Sequence, residues 1–191
     1  MKVVGLSGTI GSGKGEVKDM LIQKFNSKYV TLSDVIRGEL ERRKGLMDRI
    51  TLQEMGNEMR KKYGPHILAF LAAEYLSRDK DLVIIDGIRN PAEAQYLKKK
   101  FGNDFIWICV DAPKEIRFQR SLERRQHDDP RTIEEFSAVD DRDLGLGEPE
   151  YGQHTKRCMD MCDYKVVNDG TVEQLKEKVM KIMEDFMVTA R

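Results

Sequence analysis

The chain has 191 residues, with Lys plus Arg equal to Asp plus Glu at 33 each, which allows one well-buried core and leaves the net charge near zero. That balance argues against a general binder of nucleic acids or anionic membranes, since both need a basic excess. Three cysteines, an odd number, fit a reducing compartment. With no long apolar run and only Val3 to Leu6 as an apolar N-terminal stretch, a cytoplasmic location is expected.

Lys2 to Glu16, KVVGLSGTIGSGKGE, organises everything that follows. The run Val3 to Leu6 reads as a buried strand, and Gly8-x-x-x-x-Gly13-Lys14 has the spacing of a Walker A phosphate loop opening a helix. Its glycines let backbone N–H groups close around an anion, and the helix N-terminus adds partial positive charge. Lys14 then reaches the β- and γ-phosphates as a movable point charge. The Ser or Thr that usually follows that lysine is replaced by Gly15 and Glu16. The magnesium contact is therefore open between Ser12, water and a distant carboxylate. Val17, Met20, Leu21 and Phe25 give the following helix its apolar stripe.

Tyr29 to Leu32 is strand-prone, and Ser33-Asp34 reads as the cap of an amphipathic, charged helix to Lys44 that suits a position over a cleft. A second helix runs from Thr51, which with Glu54 has the form of a capping box, to Tyr63, and Gly64-Pro65 stops it. A third spans His66 to Ser77. Three helices exceed what one crossover needs, so residues 33–63 read as a small helical insertion able to move as a unit. Leu82 to Ile85 is a strand covered on both faces, ending in Asp86-Gly87-Ile88-Arg89. Asn90-Pro91 opens a helix from Ala92 to Lys100. Phe105 to Val110 is a further buried strand, ending at Asp111.

Pro113 starts a helix with Ile116, Phe118 and Leu122 on its expected apolar side, and with Arg117, Arg120, Arg124 and Arg125 elsewhere. Arg42, Arg43 and Arg117 read as solvated surface charge. Residues 126–150 are highly charged and read as an exposed, mobile lid carrying a helix from Thr132 to about Asp143, with Arg131 and Arg142 as its candidate arginines. After a helix ending at Met161 come the strand Tyr164 to Val167, the turn Asn168 to Gly170, and a last helix capped by Thr171. Its stripe is Val172, Leu175, Val179, Ile182, Met183 and Phe186. His154, Cys158 and Cys162 fall on one helix face; packing is the simpler reading of that spacing, and a metal site needs a fourth ligand.

Five strands alternating with helices predict an α/β fold with a five-stranded parallel sheet of the P-loop NTPase, nucleotide-kinase type, carrying the helical insertion and the charged lid. The core is then 1–32, 64–125 and 151–191. Ligands in such sheets bind beyond the carboxyl ends of the strands. The phosphate loop, Ser33-Asp34, Asp86-Gly87, Asp111 and Asn168 to Gly170 all fall at that edge. Phosphoryl transfer needs in-line positioning and charge neutralisation: Lys14 and magnesium on the donor, and Arg residues on an acceptor that carries its own phosphate. Arg37 and Arg89 each follow an acid at a strand end, and Asp86 stands where a Walker B acid holds magnesium, directly or through water.

These features resemble the nucleoside monophosphate kinase group of P-loop kinases. Gly8 to Gly15 resembles the adenylate kinase loop, which also ends in Lys-Gly. Asp34-x-x-Arg37 is similar to that family's acceptor-site motif, and Asp86-Gly87-Ile88-Arg89 to its Asp-Gly-Phe-Pro-Arg. Glu115 to Arg125 resembles the helix leading into the lid, which implies Arg120 stacked on the donor adenine and Arg124 on the transferring phosphate. DYKVVNDGT resembles the base-binding turn of dephospho-coenzyme A kinases, placing Asn168 and Gly170 around that adenine. The whole chain is similar to microbial, especially archaeal, adenylate-kinase-related P-loop proteins sharing DGIRxxxE, DDPxxxEEF and DYxxxNDGT.

The resemblance implies ATP and Mg2+ as cofactors, with the donor bound by Gly8, Thr9, Ile10, Gly11, Ser12, Gly13, Lys14, Gly15, Glu16, Arg120, Asn168 and Gly170. The acceptor is then held by Asp34, Arg37 and Arg89, and catalysis rests on Lys14, Arg124, Arg142 and Asp86. The expected activity is phosphoryl transfer from ATP to a nucleoside or deoxynucleoside monophosphate. A dephospho-coenzyme A kinase, with Asp34 as general base, and a nucleotide-binding switch or regulatory ATPase without a small acceptor are the competing readings.

Overall fold

The computed structural model describes residues 1–74, 76, 79–124 and 130–188, with the backbone alone at residue 49. The expected helix end at Ser77, Arg125 and the first lid residues, 126–129, lie outside the described residues. In chain order the elements are β1 (Lys2–Gly8), α1 (Lys14–Lys24), β2 (Ser27–Thr31), α2 (Leu32–Arg42), α3 (Arg49–Tyr63), α4 (Ile67–Glu74) and β3 (Leu82–Asp86). Then come α5 (Pro91–Phe101), β4 (Phe105–Asp111), α6 (Lys114–Arg124), α7 (Ile133–Leu144), α8 (Thr155–Met161), β5 (Tyr164–Val167) and α9 (Val172–Val188).

The five strands form one sheet in the order β2-β3-β1-β4-β5, with every pairing parallel. This is the expected parallel α/β architecture. Successive side chains of a strand point to opposite faces, so the continuous apolar runs feed two cores. Val3, Val83, Ile85, Phe105, Trp107 and Cys109 pack with α2 to α5 and α8 on one face. Val4, Leu6, Leu82, Ile84, Ile106, Ile108 and Val110 pack with α1 and α9 on the other. Among the described residues, no helix is long and apolar enough to cross a membrane.

Several local expectations are corrected. The cap of α2 is Thr31, whose hydroxyl accepts from the Ser33 N–H, while Asp34 is the third helical residue and closes a capping box. The strand therefore turns directly into the helix, one step earlier than Ser33-Asp34 implies. Its inner face, Leu32, Ile36 and Leu40, is buried in the core, so α2 is a core helix with one charged side. The cap of α3 is Asp48, with Thr51 donating to it through both backbone and side chain.

The largest reversal is in α6. Its buried residues are Arg117 and Ser121, whereas Ile116, Phe118 and Leu122 are half-buried. Arg117 donates to both carboxylate oxygens of Asp140 at 2.5 and 2.9 Å, to the Ala112 carbonyl at 2.9 Å and to the Ile10 carbonyl at 3.3 Å. A buried bidentate ion pair thus replaces the expected apolar contact and clamps α7 onto α6. Over α7 the charged segment is correspondingly less exposed than its composition implies: Phe136, Asp140 and Asp143 are all buried. Phe136 packs against Phe118 with ring centroids 5.5 Å apart. Arg42 and Arg43 do lie on the surface, paired with Glu39 and Glu58.

Candidate active site

The loop between β1 and α1 is bent by two glycines in the left-handed region, Gly11 at φ 74° and Gly13 at φ 88°, where a side chain is strained. Space reinforces the requirement. A Cβ on Gly11 would run into the Arg117 backbone, and one on Gly13 into the Asn168 amide. The loop is held from three directions: Thr9 donates to Asp111 at 3.0 Å, Asn168 Nδ2 donates to the Ser12 carbonyl at 2.9 Å, and Arg117 holds Ile10.

A cavity of about 690 Å³ opens over this loop. Gly8, Thr9, Ile10, Gly11, Ser12, Gly13, Lys14, Gly15, Glu16, Arg120, Asn168 and Gly170 all line it, joined by Arg89, Arg124 and Asp143. Every residue that the sequence assigned to the donor therefore borders one space. Arg120 donates to the Asn168 carbonyl at 3.2 Å, tying α6 to the turn after β5.

Lys14 is ion-paired with Asp86, whose second oxygen accepts from the Tyr29 hydroxyl at 2.9 Å. Burial draws the Lys14 ammonium below its ordinary pKa, against the raising effect of Asp86. Burial first, and then Asp86, pushes the Tyr29 phenol upward. Asp86 is thus a partner of Lys14 rather than an open metal ligand in this arrangement. Phosphates that drew Lys14 away would release one carboxylate oxygen. The buried Ser12 hydroxyl, beside Gly8, has no hydrogen-bond partner. Glu16 borders the same cavity, and such an all-oxygen donor set fits magnesium carried in on a nucleotide.

A second cavity, of about 400 Å³, lies between α2, α3 and the segment after β3. Leu32, Ile36, Met47, Leu52 and Leu68 supply its apolar wall, and Arg37, Arg60, Arg89, Arg124, Gln53, Asp143 and Gln153 its polar groups. Arg89 donates to Gln153 at 2.9 Å and pairs with Asp143 at 3.1 Å. The Asp143 charge holds the Arg89 guanidinium above its ordinary pKa. Arg37 is paired with Asp34 at 3.3 Å. Beneath the cavity, Arg60 and Glu93 form a fully buried ion pair at 2.8 Å, and the other Glu93 oxygen accepts from the Arg89 and Asn90 N–H groups. The two cavities share Arg89, Arg124 and Asp143.

Asp86 lines neither cavity and meets the first only through its pair with Lys14, and three further expected site residues stand apart from this junction. Asp34 is exposed and borders neither cavity, its carboxylate engaged with the Thr31 N–H and Arg37. Arg142 also borders neither and pairs with Glu148 at 3.0 Å. Arg131 is exposed at the start of α7, where its backbone N–H donates to Glu135. Asp143, one residue from Arg142, was not singled out in the sequence; helical phase relative to buried Phe136 and Asp140 is the signal that could have found it.

The cysteines behave as packing groups. Cys109 and Cys158 are buried, the Cys109 thiol donating to the Cys158 carbonyl at 3.4 Å, and His154 Nε2 bonds the Pro149 carbonyl. Among the described residues, no group of three or more His, Cys, Asp or Glu side chains is placed to hold a metal ion.

A parallel five-stranded sheet with a glycine cradle and lysine at its central strand's carboxyl end defines a P-loop nucleotide-binding fold of the kinase type. A family model described as "AAA domain" matches residues 7–137. The chain is 30% identical to the UPF0200 protein of Pyrococcus horikoshii, over 97% of each chain. It is 32% identical to a UPF0200/UPF0201 protein of Archaeoglobus fulgidus, covering 96% of this chain but only 55% of that longer one. The chain belongs to the UPF0200 family and carries the AAA domain. Similar folds occur in TT1252 from Thermus thermophilus (TM-score 0.64, 20% identity, 96% of both chains). Another is a shikimate kinase from Acinetobacter baumannii in complex with shikimate (TM-score 0.56, 17% identity, 97% of this chain and 94% of that one).

Proposed function

We propose that this protein is an ATP- and magnesium-dependent kinase that phosphorylates a small molecule bearing its own phosphate group. The observation that carries this reading is the junction itself: a phosphate-loop cavity and a second, arginine-lined cavity meet at Arg89, Arg124 and Asp143. Two substrates can be held end to end there, as in-line transfer requires. The neighbouring shikimate kinases, whose names state a small-molecule kinase activity, support the class and not the substrate.

On this reading the loop N–H groups and Lys14 bind the donor phosphates, while Arg120, Asn168 and Gly170 border the donor base. Asp86, through water, together with Ser12 or Glu16, would hold a magnesium ion that neutralises charge on the β- and γ-phosphates. Arg124 would offset charge on the moving group, and Arg37 and Arg89 would grip the acceptor's phosphate.

Nucleoside and deoxynucleoside monophosphates, which the sequence resemblance favours, accept on the phosphate itself. A dephospho-coenzyme A type acceptor is held by its phosphates and accepts on a hydroxyl. The test is ADP release from ATP and magnesium with nucleoside monophosphates, deoxynucleoside monophosphates and dephospho-coenzyme A, against a Lys14→Ala control. Turnover confined to one acceptor class and lost in the control supports the kinase. ATP binding without acceptor-stimulated turnover overturns it in favour of a nucleotide-binding switch.

A further inference from the structure

Resting on the donor half of the kinase reading, we infer that Tyr29 is a positioning residue for the donor site: its hydroxyl holds Asp86 as an anion while Lys14 leaves it for the donor phosphates. Tyr29 lies in β2, the edge strand, beside β3, whose last residue is Asp86. Its hydroxyl donates to one Asp86 oxygen at 2.9 Å, and Lys14 is paired with the other. Asp86 is 7% exposed. From the α1 side the Lys18 ammonium, one helical turn beyond Lys14, sits 5.4 Å from the centre of the Tyr29 ring and helps to keep the phenol in place.

Asp86 thus has partners of two kinds. Lys14 supplies charge, and an ammonium engaged with phosphates in the loop is drawn away from the carboxylate. Tyr29 supplies a neutral donor. It borders neither cavity, so a nucleotide leaves its hydrogen bond in place. A carboxylate this buried is costly once its cation has gone, unless hydrogen bonds satisfy it. The hydroxyl therefore stabilises the nucleotide-bound arrangement more than the free one, in which Lys14 already neutralises the charge.

Without a divalent cation, donor phosphates that take Lys14 leave Asp86 with Tyr29 as its retained partner, and affinity then depends on that hydroxyl. With magnesium present, a second cation faces the carboxylate and the dependence on Tyr29 weakens. Replacing Asp86 by Asn removes the buried charge, so Lys14 is no longer held back and Tyr29 has no anion to support. A tyrosine that merely packed α1 against β2 would be indifferent both to magnesium and to the charge at position 86.

The experiment is calorimetric titration with ADP, in EDTA and again in excess magnesium, of the wild type, Tyr29→Phe, Asp86→Asn and the double variant. In EDTA, Tyr29→Phe should lose roughly tenfold in ADP affinity, the scale of one hydrogen bond to a charged group, and in magnesium the loss should shrink to within about threefold. Asp86→Asn should bind ADP more tightly than wild type in EDTA, and adding Tyr29→Phe to it should change the affinity by less than about twofold. A Tyr29→Phe protein within about twofold of wild type in EDTA overturns the assignment. So does an equal loss in the Asp86→Asn background, or an Asp86→Asn protein that binds ADP more weakly than wild type in EDTA. That last comparison does not depend on Tyr29→Phe folding. A wild type that binds no ADP, with or without magnesium, overturns both the donor site and the role of Tyr29. The expected pattern in a protein without acceptor-stimulated ADP release upholds Tyr29 and overturns the kinase reading alone.

Discussion

Replacing Arg117 by Met tests the clamp between the phosphate loop and α7. The Arg117 and Asp140 side chains are 7% and 2% exposed and share two hydrogen bonds, so the substitution leaves a buried carboxylate without its cation. Breaking such a pair from one side costs about 3–5 kcal/mol. For a domain of this size that corresponds to a fall of roughly 10 °C in Tm. Adding Asp140→Leu removes the orphaned charge and should restore most of the lost stability, because well-packed apolar pairs often replace buried ion pairs at no net cost. Nucleotide affinity should not recover with it. The Ile10 carbonyl in the phosphate loop loses its donor in both variants, worth about 1 kcal/mol or roughly fivefold in affinity. Urea unfolding followed by circular dichroism gives the first quantity and calorimetric titration with ADP the second. A single variant within about 1 kcal/mol of wild type, or a double variant no more stable than the single, would refute the clamp.

Gly13→Ala combines a left-handed φ with a Cβ that meets the Asn168 amide, so ADP binding should fall at least tenfold while circular dichroism stays native; unchanged affinity refutes the close approach. Arg60→Met exposes the fully buried Glu93 to the same one-sided loss, about 3–5 kcal/mol by urea unfolding, and a cost below about 1 kcal/mol argues against it. Lys14 is held below its ordinary pKa of 10.5 by burial. Between the lowered folded value and the unfolded value, the folded chain carries fewer protons, so this group's contribution to stability rises with pH across that window. Nucleotide phosphates favour the ammonium, so ADP binding at mildly alkaline pH should take up protons, read from calorimetry in buffers of different ionisation enthalpy. Lys14→Met should remove that uptake, and an equal proton count in the variant would assign it elsewhere.

Much of the fold was legible because its signals are local. Continuous apolar runs mark strands covered on both faces, and Val3 to Leu6, Leu82 to Ile85 and Phe105 to Val110 all became central strands. The glycine spacing from Gly8 to Gly13 determined the loop, since its left-handed positions and close backbone approaches exclude side chains. The rule that ligands lie beyond strand carboxyl ends then brought Arg120, Asn168 and Gly170 to the same cavity as Lys14. Resemblance added the roles, and those remain proposals.

What only the tertiary structure decided is which charged residues turn inward. Periodicity locates a helix and assumes that its apolar side is the buried one. In α6 that assumption fails, because Asp140, in a later helix, neutralises Arg117 and makes its burial tolerable. Asp143 is buried for the same reason, its partners Gln53 and Arg89 coming from separate elements, while its neighbour Arg142 turns away to Glu148. The sequence by itself determined the strands, the loop and the edge of the sheet where chemistry is done. The fold determined which charges meet there, because a charge is buried only where distant parts of the chain supply its counter-charge.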